Sequence, residues 1–408
     1  MKINGNILVL TQWSYKDALV QTYTLPYVKI IREVIPAATT IILVTAEKSD
    51  ITLSEPEQAT INRDLARQNM QWVGQTYRRF GWRKLLMYPV HFFQLIRLIR
   101  KNNINVIHAF CMPAGGIGYM LAKFLRLKLV IDSYEPHATA MLETGAWKKN
   151  GWAYRILFYL EKKISRYASY VIATTEGMRT YAKENYGVEL NHFSVKPACI
   201  DFTHFYPREK DPGLLHSLGL ESKIVCIYAG KLGGTYLKDE VFDFIKACHA
   251  YWQDDFRFLM LTGETASSIQ DQIKRVGLPA NVVIAKFVAH QAVPVYMSLG
   301  DFAINPQVPV PSKRYGAPIK TGEYWGMGLP VVISPGISDD SDIIAAQEIG
   351  VVTDLQNRDN YPSAIMAIDG ILKHEDRSQL QERIFKVAKQ YRSFSIARKI
   401  YPLIYENR

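Results

Sequence analysis

Almost from end to end, apolar runs of about four to eight residues alternate with helix-length amphipathic stretches, and this alternation restricts the chain to parallel α/β architecture. In the first half the expected strands are Asn6–Leu10, Thr40–Val44, Val106–Phe110, Lys128–Ile131 and Tyr170–Ala173, with helices such as Leu85–Arg100 and Trp152–Tyr167 between them. Around 197–212 the periodicity stops, and Pro, Asp and aromatic residues accumulate as in an interdomain linker. A second series follows: Ile224–Ala229, Arg257–Leu261, Val282–Ala285, Phe302–Asn305, Pro330–Ile333 and Val351–Thr353. The reading is two Rossmann-like domains with parallel sheets, 1–205 and 206–385. A C-terminal helical stretch, 386–408, breaks near Ser393–Ser395 and is expected to pack back on the first domain because no strand is left for it to cover.

Hydrophobic residues make up 48% of the 408 and charged residues 21%, which suits a globular chain and excludes disordered, collagenous and coiled-coil classes. No apolar run reaches the roughly 20 residues that span a bilayer, and the start resembles no signal peptide, so a cytoplasmic location is expected. Cys111, Cys199, Cys226 and Cys248 are far apart and read as reduced, mostly buried thiols. Charge is more informative. The net +11 lies wholly in residues 1–205, with 26 Lys and Arg against 15 Asp and Glu; residues 206–408 have 23 of each. Between Leu65 and Ile131 there are 11 basic residues and no acidic one, interleaved with Trp72, Tyr77, Phe80, Trp82, Tyr88, Phe92 and Phe93. That face should meet something anionic.

In open α/β sheets ligands sit at the carboxyl ends of strands, where helix N-termini and glycine-rich turns cradle phosphate. The second half offers two such places. Cys226-Ile-Tyr-Ala-Gly230-Lys231 continues into Leu-Gly-Gly-Thr-Tyr-Leu-Lys238, a buried strand and a glycine-rich turn with two lysines. Glycines admit an oxyanion, and Lys231 and Lys238 could neutralise a diphosphate, although solvated lysines on a plain turn explain the same residues. The second place runs from Ser312 through Ala317-Pro318-Ile319-Lys320-Thr321-Gly322-Glu323 into the strand after Pro330. Here a carboxylate in the first helical turn could accept two ribose hydroxyls, or serve only as a favourable acidic helix start. In the first half, Asp132-Ser-Tyr-Glu135-Pro-His137 closes a strand. Polar groups there suit sugar orientation or proton transfer, against the alternative of a capping Asp132 and a surface histidine.

The segment from Pro318 to Val332 resembles the donor signature of GT-B glycosyltransferases of family 4, the retaining sugar transferases also called group 1. Supporting pieces occur in order: Ala173-Thr-Thr-Glu176, Cys199-Ile-Asp201 with Phe205-Tyr-Pro207, Tyr228-Ala-Gly230-Lys231, Lys238, and Leu259-Met-Leu-Thr-Gly263-Glu264. The resemblance implies a metal-independent, retaining hexosyltransferase without a cofactor. It would move a sugar from a nucleotide-diphosphate-sugar to a glycan or polyprenyl-linked acceptor in cell-surface polysaccharide or lipopolysaccharide synthesis. It also implies a donor site of Gly230, Lys231, Lys238, Gly263, Ala317, Pro318, Ile319, Lys320, Thr321 and Glu323, with Glu135 and His137 as catalytic candidates. The family often has a second glutamate eight residues before Glu323, where this chain has Tyr315, so the sugar contact and the donor sugar stay unassigned. The glycine pair usual after the first strand is replaced by Thr11-Gln-Trp-Ser-Tyr.

Helical spacing turns Leu95, Ile96, Leu98 and Ile99 toward a sheet and leaves Arg97, Arg100 and Lys101 to solvent. The stretch from Trp72 to Phe93, with Arg78, Arg79, Arg83 and Lys84, suits an anionic membrane surface on the inner face of the cell membrane, or else core packing with a solvated face. No nucleic-acid recognition module is visible. Two other functions remain open: an epimerase or hydrolase of nucleotide sugars on the same scaffold, and a non-enzymatic basic membrane-binding protein.

Overall fold

The computed structural model describes residues 5–48, 53–76 and 82–406, with the backbone alone over 82–88. It divides into two compact units. The first gathers the described parts of Met1–Leu142, Trp147–Pro197 and Ser395–Arg408; the second gathers Glu143–Ala146 and Ala198–Phe394.

The first unit is built on seven strands: β1 (Asn6–Leu10), β2 (Ile41–Glu47), β3 (Met70–Thr76), β4 (Ile104–Phe110), β5 (Lys128–Tyr134), β6 (Tyr170–Ala173) and β7 (Phe193–Val195). All pair in parallel in the order β3-β2-β1-β4-β5-β6-β7. Helices cover both faces, so Ile7, Leu8, Val9, Val106 and Ile107 are wholly buried, as the unbroken apolar runs require. The order reverses between β1 and β4. Right-handed crossovers therefore put helix Leu25–Val34 on one face, and helices Trp82–Lys101, Met112–Leu125 and Trp152–Tyr167 on the other. Helix Ser395–Tyr405 packs on the first of these, with Arg398 bonded to Glu33 at 3.1 Å and Tyr401 edge-on to Tyr27.

The second unit has six parallel strands: β8 (Ile224–Ala229), β9 (Phe256–Leu261), β10 (Val283–Lys286), β11 (Phe302–Asn305), β12 (Val331–Ile333) and β13 (Gly350–Val352). Their order is β10-β9-β8-β11-β12-β13, so this sheet reverses between β8 and β11. All four cysteines are buried, free thiols.

Three expectations need correction. First, β3 and β7 were not anticipated. Trp72, grouped above with a surface segment, is a core residue of β3 whose indole N–H donates to Thr45 Oγ1 at 2.7 Å. Second, the chain passes to the second unit at Ala198 rather than 206, and returns at Ser395 rather than 386. The cause is burial: Ile200 and Phe205 seat against Gly322 and Gly326 of helix Ile319–Gly326, where added Cβ atoms would lie 2.6 Å and 3.1 Å from them. Third, that helix begins at Ile319, so its first turn holds no acidic residue and Glu323 lies beyond it.

Candidate functional site

The reversal between β8 and β11 is where a doubly wound sheet opens a crevice at its strand ends, and most of the expected donor residues meet there. After β8 the chain passes through Gly230, Gly233 and Gly234 at φ +145°, +82° and +65°, a path that side chains other than glycine rarely follow. The turn is pinned by Gly230 N–H to Leu261 C=O at 2.8 Å and by Leu237 N–H to Pro306 C=O at 2.7 Å. Lys320 lies across it. A Cβ on Gly230 would stand 2.5 Å from Lys320 Cε, so the glycine is what admits this lysine. Its ammonium donates to Tyr236 Oη at 3.1 Å and lies 4.5 Å from that ring's centroid. Tyr324, next to Glu323, receives the Ala229 N–H on its hydroxyl at 3.0 Å and so ties the helix to the end of β8.

Lys231 is exposed on the rim of a pocket of about 510 Å³ that also involves Thr262, Gly263, Glu264, Lys286 and Phe287, from the ends of β9 and β10. A Cβ on Gly263 would only touch Lys231 and Phe287 at 3.8 Å, so glycine widens this pocket without being required by it. Lys238 donates to Ser268 Oγ at 2.9 Å, in the first turn of helix Ala266–Val276, whose Ala266 and Ile269 line the same pocket. Among the described residues, none of Lys231, Lys238 and Lys320 forms an ion pair with a carboxylate. Ala317 and Pro318 lead into the helix, and Thr321 is buried with its hydroxyl accepting from Asn305 Nδ2 at 2.8 Å.

Glu323 is half-buried and receives no side-chain hydrogen bond from the described residues. Burial raises its pKa to about 7, only partly opposed by Lys320. The folded protein therefore holds this proton more tightly than the unfolded chain does, and Glu323 costs stability as pH rises from about 4.5 to about 7. Glu323→Gln is expected to melt close to wild type near pH 5 and above it near pH 8. An equal difference at both values would contradict the assignment.

In the first unit, Glu135 and His137 follow β5. His137 Nδ1 lies 3.2 Å from Glu135 Oε1, and both side chains are partly exposed. Asp132 is not a helix cap. It is wholly buried, within 3.1 Å of Lys196 Nζ and 3.3 Å of His108 Nε2, and accepts from Tyr401 Oη at 2.8 Å. Burial would raise its pKa, but Lys196, His108 and Tyr401 outweigh that and hold the carboxyl at about 2. His108 Nδ1 bonds Tyr405 Oη at 2.6 Å, and Lys196 Nζ stands 3.3 Å over the Tyr27 ring. This cluster fixes the irregular end of β5, where Ser133 has φ +56°. Sequence reading missed Lys196, His108, Tyr401 and Tyr405. The available signal was ionisable residues inside apolar runs, as in Val130-Ile-Asp132 and Val195-Lys196. Arg78 and Arg79 lie outside the described residues, as do the side chains of Arg83 and Lys84.

Two doubly wound parallel sheets, the second opening onto a glycine and lysine turn, are the architecture of the GT-B fold. Residues 51–204 match the model of Glycosyltransferase Family 4, and residues 223–368 that of Glycosyl transferases group 1. The chain belongs to this family. It is similar over 98% of its length to sucrose-phosphate synthase from Thermosynechococcus elongatus (TM-score 0.72, 14% identity, 98% of that chain). It is also similar over 98% to Anabaena Alr3699/HepE, solved in complex with UDP-glucose (0.70, 16%, 99%), and over 98% to WaaG, a glycosyltransferase involved in lipopolysaccharide biosynthesis (0.67, 13%, 100%). No curated protein matches it.

Proposed function

We propose that the protein is a retaining transferase that moves a hexose from a nucleotide-diphosphate-sugar to a glycan or lipid-linked acceptor in cell-surface polysaccharide synthesis, working in the cytoplasm. The observation that carries the donor reading is the gathering, around the Gly230 turn at the ends of β8, β9 and β11, of three lysines that have no carboxylate partner among the described residues. Cations gathered in this way stabilise charge as it builds on a departing diphosphate, and they do so without a metal. The Glu323 carboxylate, with unused acceptor capacity, suits a ribose diol. Phe287, 78% exposed beside the pocket, offers a flat apolar ring to the nucleobase. HepE, with the same fold, binds UDP-glucose. On the acceptor side, His137 and the adjacent Glu135 are the groups proposed to orient the transferring sugar and the incoming hydroxyl.

Incubation with a panel of nucleotide sugars tests the reading against its alternatives. A transferase leaves the donor largely intact alone and releases nucleoside diphosphate, with a lengthened glycan, once an acceptor extract is added. Rapid conversion of the donor by itself to free sugar or an epimer would instead establish a hydrolase or epimerase.

A further inference from the structure

We infer that the first unit docks on an anionic lipid bilayer through the helix layer formed by Trp82–Lys101, Met112–Leu125 and Trp152–Tyr167. Among the described residues, every exposed large apolar side chain of this unit except Leu403 stands on that layer: Val90 and Phe93, then Phe124, then Trp152, Ile156 and Tyr159. Helix Trp152–Tyr167 shows the feature most sharply. Its Leu157, Glu161 and Ile164 are buried in the unit, which meets its need for a core-facing stripe. On the opposite side Trp152, Ile156 and Tyr159 recur at helical spacing, 80%, 47% and 58% exposed. An apolar stripe turned to water next to a fully used core stripe marks a surface made to be covered.

Charge indicates what covers it. The three helices contain one acidic residue, Glu161, and it is buried. Their outer faces carry Arg97, Arg100, Lys123, Arg155, Lys162 and Lys163; Lys163 Nζ lies 5.2 Å from the centroid of the Tyr159 ring. On the neighbouring helices Phe92 lies edge-on to both Phe93 and Phe124. Aromatic rings among lysines and arginines, with no acidic residue to repel a phosphate, match the headgroup region of an anionic bilayer. No helix among the described residues is long and apolar enough to cross a membrane, so the attachment is interfacial. The placement moves the expected docking surface away from Trp72, which is core. It also has a consequence inside the unit: Glu161 Oε1 accepts the Ala138 N–H at 2.9 Å, so the docked helix holds the segment that carries His137.

The test is co-sedimentation of the full chain with phosphatidylcholine vesicles and with phosphatidylcholine–phosphatidylglycerol vesicles, together with light scattering of the free protein. Wild type is expected to bind the anionic vesicles at least about tenfold better than the neutral ones, and less as salt rises. Trp152→Ser with Ile156→Ser and Tyr159→Ser should reduce that binding about tenfold or more, with melting temperature and nucleoside diphosphate affinity unchanged. Lys162→Glu with Lys163→Glu is the second variant and should act in the same direction. Equal binding to both vesicles, or triple-variant binding like wild type, would overturn the proposal. So would a wild-type dimer that the triple variant converts to monomer without any vesicle binding, because the face would then join two copies of this chain.

Discussion

Lys231→Ala is expected to lower sugar transfer by about 10²–10³-fold while leaving thermal melting unchanged, which are magnitudes typical of losing one group that stabilises charge in the transition state. Lys231 is exposed and holds nothing together in the second unit, so its removal should not disturb the fold. Lys320 differs, because it is held between the Gly230 backbone and the Tyr236 ring and is already in place before a ligand arrives. Lys320→Ala should therefore produce a loss of similar size, and Gly230→Ala a partial one, since the new Cβ pushes the lysine aside. Transfer rates and melting curves of the three variants check this order. A Lys231→Ala enzyme that works at the wild-type rate would remove the diphosphate from this turn.

The second large effect concerns stability. Arg392, buried at the end of helix Arg377–Arg392, pairs with the buried Asp340, donates to Ala198 C=O at 3.4 Å and lies beside the Trp325 ring. Its own carbonyl accepts the Ile200 N–H at 2.8 Å. Removing one member of such a pair leaves the other charge buried, so Arg392→Met is expected to cost about 3–5 kcal/mol in denaturant unfolding. Arg392→Met with Asp340→Asn should recover much of the loss, because the amide no longer needs a counter-charge. Thr321, on the helix that carries Lys320 and Glu323, is among the groups that oppose the rise burial gives the Asp340 pKa, so the single variant should loosen that helix. A loss below about 1 kcal/mol would show that this junction does not hold the unit.

The sequence revealed the sheets well because parallel strands buried on both faces must be apolar runs. Each of the six expected in the second half appears, within a residue at either end. It revealed β3 and β7 poorly for different reasons. β3 buries only Met70 and Trp72, with Gln71 exposed between them and no buried residue after Trp72, and its single tryptophan is grouped by sequence with the basic residues that follow. β7 has only three residues, too few for any period to show. At the donor turn, glycines and lysines gave the chemistry, but contact between Lys320 and Gly230 across ninety residues is a tertiary fact. The Asp132 cluster was hidden for the same reason, since its partners come from β4, the end of β7 and the last helix.

One nucleoside diphosphate is expected to be held jointly by the lysines of the Gly230 turn and by Glu323. Calorimetric titration of UDP, GDP and ADP into wild type, Lys231→Ala and Glu323→Ala tests it most directly. Wild type is expected to bind one of these nucleotides saturably, with the affinity weakened about tenfold or more in each variant. Equal affinity in all three proteins would contradict it.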